Sequence, residues 1–256
     1  MIARSNAARL RRQRNLVLAL LLALAGACWL VVLRQAGMTQ GMGLTMGMTL
    51  PLFLLAWVAM MIAMMFPTAA PMIVMFGTVA AGKQQRAQPF VPTWVFVSAY
   101  LTVWLGFGVV AYAAASGLSV LAMRSTGLMD NAARLGGALL LVGGIYQLSP
   151  LKSLCLRKCR SPLSFILTSW RDGYGGAIVM GLKHGAYCLG CCWLLFAILF
   201  PLGVMNIAAM VGLTLLIFAE KSLAWGVVTA RVAGVGLVAY GAVVLVTAHG
   251  LPGMTM

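Results

Sequence analysis

The sequence is short of charge. Only 8 % of its 256 residues are charged, and just three are acidic, against about 25 % charged residues in a typical soluble domain. With 62 % hydrophobic residues and a mean hydropathy of +1.01, the composition excludes an ordinary soluble globule and points to a polytopic membrane protein. No complete G-x-x-x-x-G-K-[ST] phosphate-binding loop occurs, which argues against ATP-driven pumping. A separate soluble domain, a linker and an internal repeat are missing too. Cysteine is also sparse. The six present, at 28, 155, 159, 188, 191 and 192, are too few and too embedded in apolar sequence for a secreted disulfide framework, so they read as reduced thiols, metal ligands or a redox pair.

What is present is a succession of apolar runs. The first, LVLALLLALAGACWLVVL at 16–33, follows Arg4, Arg9, Arg11, Arg12 and Arg14. It has the look of a signal peptide, but its apolar core continues past Cys28 through Trp29 to Leu33, so an uncleaved span is expected. Further runs lie near 50–80, 92–115, 133–148, 175–200, 205–224 and 232–249. Each is close to the ~20 residues a helix needs to cross a bilayer, where only a helix or a closed barrel satisfies its own backbone. The prediction is all-α: one integral membrane domain over 1–256, a bundle of about seven transmembrane helices. Six is the alternative, if the first span is cleaved or if Pro67 and Pro71 make 50–80 re-entrant.

The net charge of +15 does not suggest nucleic acid, because the cations sit between the runs. With seven spans, fourteen basic residues fall on the N-terminal side: the five early arginines, Lys83, Arg86, Lys152, Arg157, Lys158, Arg160, Arg171, Lys221 and Arg231. Only Arg34, Arg124 and Arg134 fall opposite, with Lys183 inside a span. The positive-inside rule then gives a cytoplasmic N-terminus and an external C-terminus, in a bacterial inner membrane. The longest polar connection, 149–174, reads as a basic cytoplasmic loop.

Three groups of residues could carry chemistry. In GLKHGAYCLGCCW (181–193), helical spacing puts His184, Cys188 and Cys191 on one stripe with Met180, and Cys192 at its edge. Thiolate, thioether and imidazole suit Cu(I) or Zn(II) and match hard cations poorly, although a free cysteine also packs as a small hydrophobe. In the 149–174 connection, Cys155 and Cys159 form a C-x3-C pair among cations expected to favour thiolate. Methionines crowd the second run, with Met60 beside Met64 and Met61 beside Met65 at helical spacing, and GMTQGMGLTMGMT precedes them. Thioethers bind Cu(I) weakly, which suits passing it along, and methionine is equally an ordinary core filler. Glu220 lies in an apolar run and is followed by Lys221. A buried charge is a functional-site candidate, and an ion pair from Glu220 to Lys183 is conceivable.

Taken in order, AMMIAMMFPTAAPM (59–72), YQLSPLKSLCLRKCRSP (146–162), GLKHGAYCLGCCW and Glu220-Lys221 resemble the bacterial predicted metal-binding integral membrane proteins, a family without an assigned function. The resemblance implies a metal role for Cys155, Cys159, Cys188, Cys191 and Cys192. Ligand softness makes Cu(I) the expected ion, with zinc as the alternative. The expected activity is transport or delivery of copper rather than enzymatic catalysis, with the metal ion, membrane lipid and a copper chaperone or membrane enzyme complex as partners. Two rival readings remain open: a membrane thiol-disulfide oxidoreductase cycling Cys155 with Cys159 or Cys188 with Cys191, and an assembly subunit of a larger membrane complex.

Overall fold

The computed structural model describes residues 2–39, 43–85, 88, 90–124 and 131–247, and every regular element among them is a helix. In order these are α1 (Ile2–Thr39), α2 (Leu50–Gln85), α3 (Thr93–Arg124), α4 (Ala132–Leu148), α5 (Pro150–Arg160), α6 (Pro162–Ser169), α7 (Gly173–Ala197), the single turn α8 (Leu199–Leu202), α9 (Ile207–Ser222) and α10 (Gly226–Thr247). The expected C-terminal exit beyond Thr247 lies outside the described residues.

Five helices are long and apolar enough to cross a membrane, and a sixth pass is made if α4 and α5, bent by 63° at Ser149, count as one broken span. Of the seven expected spans, α9 is the short one. Its 16 residues rise only ~24 Å, short of the ~30 Å hydrocarbon core. The second run is not re-entrant either, because α2 passes through Pro67 and Pro71 as one helix. Hydroxyls along this stretch bond to main-chain carbonyls, Thr68 to Met65 at 2.9 Å and Thr78 to Val74 at 2.8 Å.

The segment read as a loop is helical as well. Ser149 caps α5 by accepting the Lys152 N–H at 3.2 Å, with Pro150 in the first turn, the combination that starts a helix efficiently. The cap turns α5 against α7. Of the methionine-rich connection before α2, residues 43–49 are described. Met46 adopts a φ of 57° and is buried in the core, so packing accounts for it.

Neighbouring residues fix the directions of the helices. Gly181 of α7 abuts Phe96 and Ala99 of α3, and Gly185 abuts Tyr100 and Val103, so α3 and α7 are parallel. Gly143 meets Ile198 and Tyr146 donates to the Gly190 carbonyl, so α4 is antiparallel to α7. Gly137 meets Val244 and Gly144 meets Gly234 and Val238, so α10 is antiparallel to α4. Helices α7 and α10 therefore point the same way, and α9 is the return between them. At the far end of α7, Lys83 pairs with Asp172 and lies 5.1 Å from the Trp170 ring centroid. Hydrogen bonds from Lys83 and the Trp170 N–H hold the exposed Asp172 carboxyl below the usual carboxylate range.

The α3–α7 contact depends on Gly181, where a Cβ would lie 2.4 Å from the Phe96 carbonyl oxygen, whereas at Gly175 nothing lies within 4 Å. Gly181→Ala is expected to destabilise the protein by about 1–3 kcal/mol through overpacking, and Gly175→Ala to leave it unharmed. Thermal unfolding midpoints in detergent check the difference.

Candidate metal site

The stripe expected on α7 exists. The helix is unbroken through Gly181 and Gly185, and Met180, His184, Cys188 and Cys191 are each at most 2 % exposed. Cys192, placed at the stripe's edge by spacing, is equally buried, with its sulfur 3.2 Å from that of Cys191.

A fourth cysteine comes from α5, where Cys159 lines a cavity with His184 and Lys221 and interacts electrostatically with Cys188 and Cys191. Its partner in the C-x3-C pair does not line the cavity: Cys155 lies against α7 at Gly190. Two of the cations expected to polarise this pair are otherwise engaged, while Arg157 and Lys158 are exposed. Lys152 bonds to Glu220 and Gln147, and Arg160 bonds to the carbonyls of Glu220, Leu223 and Ala224. The cation that reaches a sulfur is Lys221, whose Nζ donates to Cys188 Sγ at 3.1 Å. On the same sulfur, the Tyr100 hydroxyl sits at 3.2 Å.

Lys183 is exposed, which corrects the ion pair considered for it with Glu220. Glu220 instead accepts from Lys152 at 2.7 Å and from the Gln147 amide at 2.5 Å, and all three side chains are at most 3 % exposed. A carboxylate withdrawn from water needs such compensation, because an unpaired buried charge costs several kcal/mol. Gln147 sits at the end of α4, Lys152 in the first turn of α5 and Glu220 in the last turns of α9. The network thus pins the bend between α4 and α5 to α9, and with it the approach of Cys159 and Lys221 to α7.

Beside the sulfurs lies a cavity of about 180 Å³ whose wall includes Met72, Cys159, Arg160, His184 and Lys221. His184 is 2 % exposed and packed between aromatic rings, with centroids of Phe96, Tyr100 and Phe165 at 6.0, 5.5 and 5.7 Å. Neither of its ring nitrogens has a hydrogen-bond partner. A neutral imidazole carries one donor and one acceptor, and burying both unpaired is costly. Imidazole nitrogen, thiol and thioether at one cavity form a donor set that fits a soft ion. Among the described residues no three His, Cys, Asp or Glu side chains already surround a common point, so the donors line a space rather than enclose a ligand.

Met60, Met61, Met64 and Met65 are buried in the core and are not part of the cavity wall; Met72 is. Met65 and Met61 share its face of α2, seven and eleven residues away. Helical periodicity thus found the α7 stripe, but it gave no sign that Met72 and Lys221 would meet it. The Glu220-Lys221 pair, one charge facing Lys152 and the next facing Cys188, was the available signal.

The meeting of α5 with α7 is testable by cross-linking. A variant retaining only Cys159 and Cys191 should form an internal disulfide under mild oxidation, detected as a joined peptide by mass spectrometry. A variant retaining only Cys28 and Cys159 should not.

No curated protein and no solved structure is matched by the chain. The model of a family described as PpoB2, copper chaperone, matches residues 54–244, the stretch that holds the whole cavity and every sulfur of the cluster, and the chain therefore belongs to that copper chaperone family.

Proposed function

We propose that this chain is an integral membrane protein that receives copper as Cu(I) and passes it on within or across a bacterial inner membrane. The observation that carries this reading is His184, a buried imidazole with two unpartnered nitrogens, facing a cavity it shares with Cys159 and Met72. Copper is here the cargo. His184 and Cys159 bind it from the cavity, Cys188 and Cys191 supply thiolates behind them, and Met72 offers a neutral, weaker sulfur for release. Met65 and Met61 continue the Met72 face at rises of ~10 and ~16 Å toward the start of α2. That direction leads away from the basic end of the molecule.

The orientation proposed is N-terminus inside and C-terminus outside. Of the fourteen basic residues on the N-terminal side, Lys152 and Lys221 are buried in the bundle, and the remaining dozen still far outnumber the three opposite. A reporter fused after Met256 should be external.

Copper content per protein, measured by elemental analysis on variants matched for folding and insertion, tests the site. Cys188→Ser and Cys159→Ser should each lose most of the metal, and Cys191→Ser likewise. His184→Ala should weaken binding without removing it, since thiolates dominate Cu(I) affinity, and Cys192→Ser should cost less. Unchanged occupancy in Cys159→Ser and Cys188→Ser together would end the proposal. Zinc in place of copper would move it to the harder metal, and a metal-free protein with a reversibly oxidised cysteine pair would favour the oxidoreductase.

A further inference from the structure

The wall of the cavity carries positive charge and no carboxylate. Lys221 and Arg160 both line it. The one acidic side chain nearby, Glu220, is 0 % exposed and already paired with Lys152. Arg157 and Lys158 are exposed on the turn of α5 that carries Cys159. If Cys188 is ionised it balances Lys221, and Arg160 still has only main-chain carbonyls as partners. A bare monovalent cation approaching Cys159 and His184 would meet like charges in a setting of low permittivity, where repulsion is weakly screened. The donor set demands a soft monovalent ion, yet the electrostatics oppose a cation.

Both demands are met by a soft cation that arrives already wrapped in thiolates. Cu(I) bound by two thiolates is an anion of charge minus one. Resting on the copper reading above, we infer that the cavity takes its copper as an anionic Cu(I) thiolate complex, drawn in by Lys221, Arg160 and the exposed cations of α5, and not as a free or cationic copper species. The transfer is a ligand exchange. A bond forms between copper and Cys159 Sγ as one bond between copper and a donor sulfur breaks. The proton leaving the Cys159 thiol goes to the departing thiolate, which leaves as a neutral thiol. Copper remains Cu(I), no electron is transferred, and the intermediate keeps its single negative charge, facing Lys221 and Arg160.

The same chemistry can come from a small thiol or from a dithiol on an acidic protein, so the experiment uses three donors. Purified protein in detergent is given Cu(I) with excess N-acetylcysteine, an anionic thiol; with excess cysteamine, a cationic thiol; or on an acidic C-x2-C peptide. Initial loading is followed by rapid desalting and elemental analysis. The N-acetylcysteine complex is expected to load at least tenfold faster than the cysteamine complex, with the advantage shrinking as salt is raised. Lys221→Met should cut the advantage severalfold and Lys221→Arg should restore it. The pair Arg157→Glu with Lys158→Glu, both exposed, tests the same charge without disturbing the interior and should also reduce it. Faster loading from the peptide than from N-acetylcysteine identifies a protein donor, and the reverse order a small thiol; either upholds the inference. If the cysteamine complex loads as fast as the anionic donors, or if the charge-reversed pair leaves the advantage intact, the inference fails while the copper reading stands. If no donor loads at all, both fall.

Discussion

The buried ion pair between Lys152 and Glu220 is the constraint on which the rest of the arrangement depends. Its two side chains are 1 % and 0 % exposed. Each would be prohibitively costly alone in so apolar a chain, so neither helix that carries them is free to move without the other. Gln147 uses its amide on both partners, donating to Glu220 and accepting from Lys152. Three helices are thereby locked at one point. Arg160, at the far end of α5, repeats the connection by capping the carbonyls that end α9, and Gly226 leaves room for its guanidinium: a Cβ there would lie 1.8 Å from Arg160 Nη1. With both ends of α5 tied to α9, Cys159 is delivered to α7 at a fixed height.

Much of this was legible in the sequence, and the boundary is physical. Apolar runs found the helices because hydropathy is a local property of composition. Spacing found His184, Cys188 and Cys191 because a helix repeats within the window being read. What failed were statements about pairs distant in sequence. Lys183 looked like the partner of Glu220 because it sits within the α7 run, yet it faces outward, and Lys152, 68 residues before Glu220 in the chain, takes the place. Cys155 and Cys159 looked equivalent on one helical face, yet of the two only Cys159 lines the cavity, because the bend at Ser149 sets how α5 crosses α7. Met60, Met61, Met64 and Met65 stood out by number, while Met72, at the edge of the same run, is the one at the cavity.

The chemistry separates into two layers. Softness resides in the first, in the sulfurs and the imidazole. Charge resides in the second, where Lys221 and Arg160 stand one residue away from Glu220 and Cys159 in sequence and face the same space. Tyr100 and Lys221 share a single sulfur, Cys188. That sulfur is held by a hydroxyl and an ammonium, both of which a metal ion would have to displace or outcompete, so Cys188 is masked from casual ligands.

The shortness of α9 bears on the lipid as well as the protein. At 16 residues it is ~6 Å shorter than a hydrocarbon layer. A segment too short for its surroundings makes the bilayer thin beside it or draws polar headgroups inward. The end of α9 carries Glu220 and Lys221, and Lys221 lines the cavity. In the membrane placement proposed above, the bilayer would thin beside α9 and next to the cavity, which would shorten the distance a charged species travels out of water before it meets Cys159.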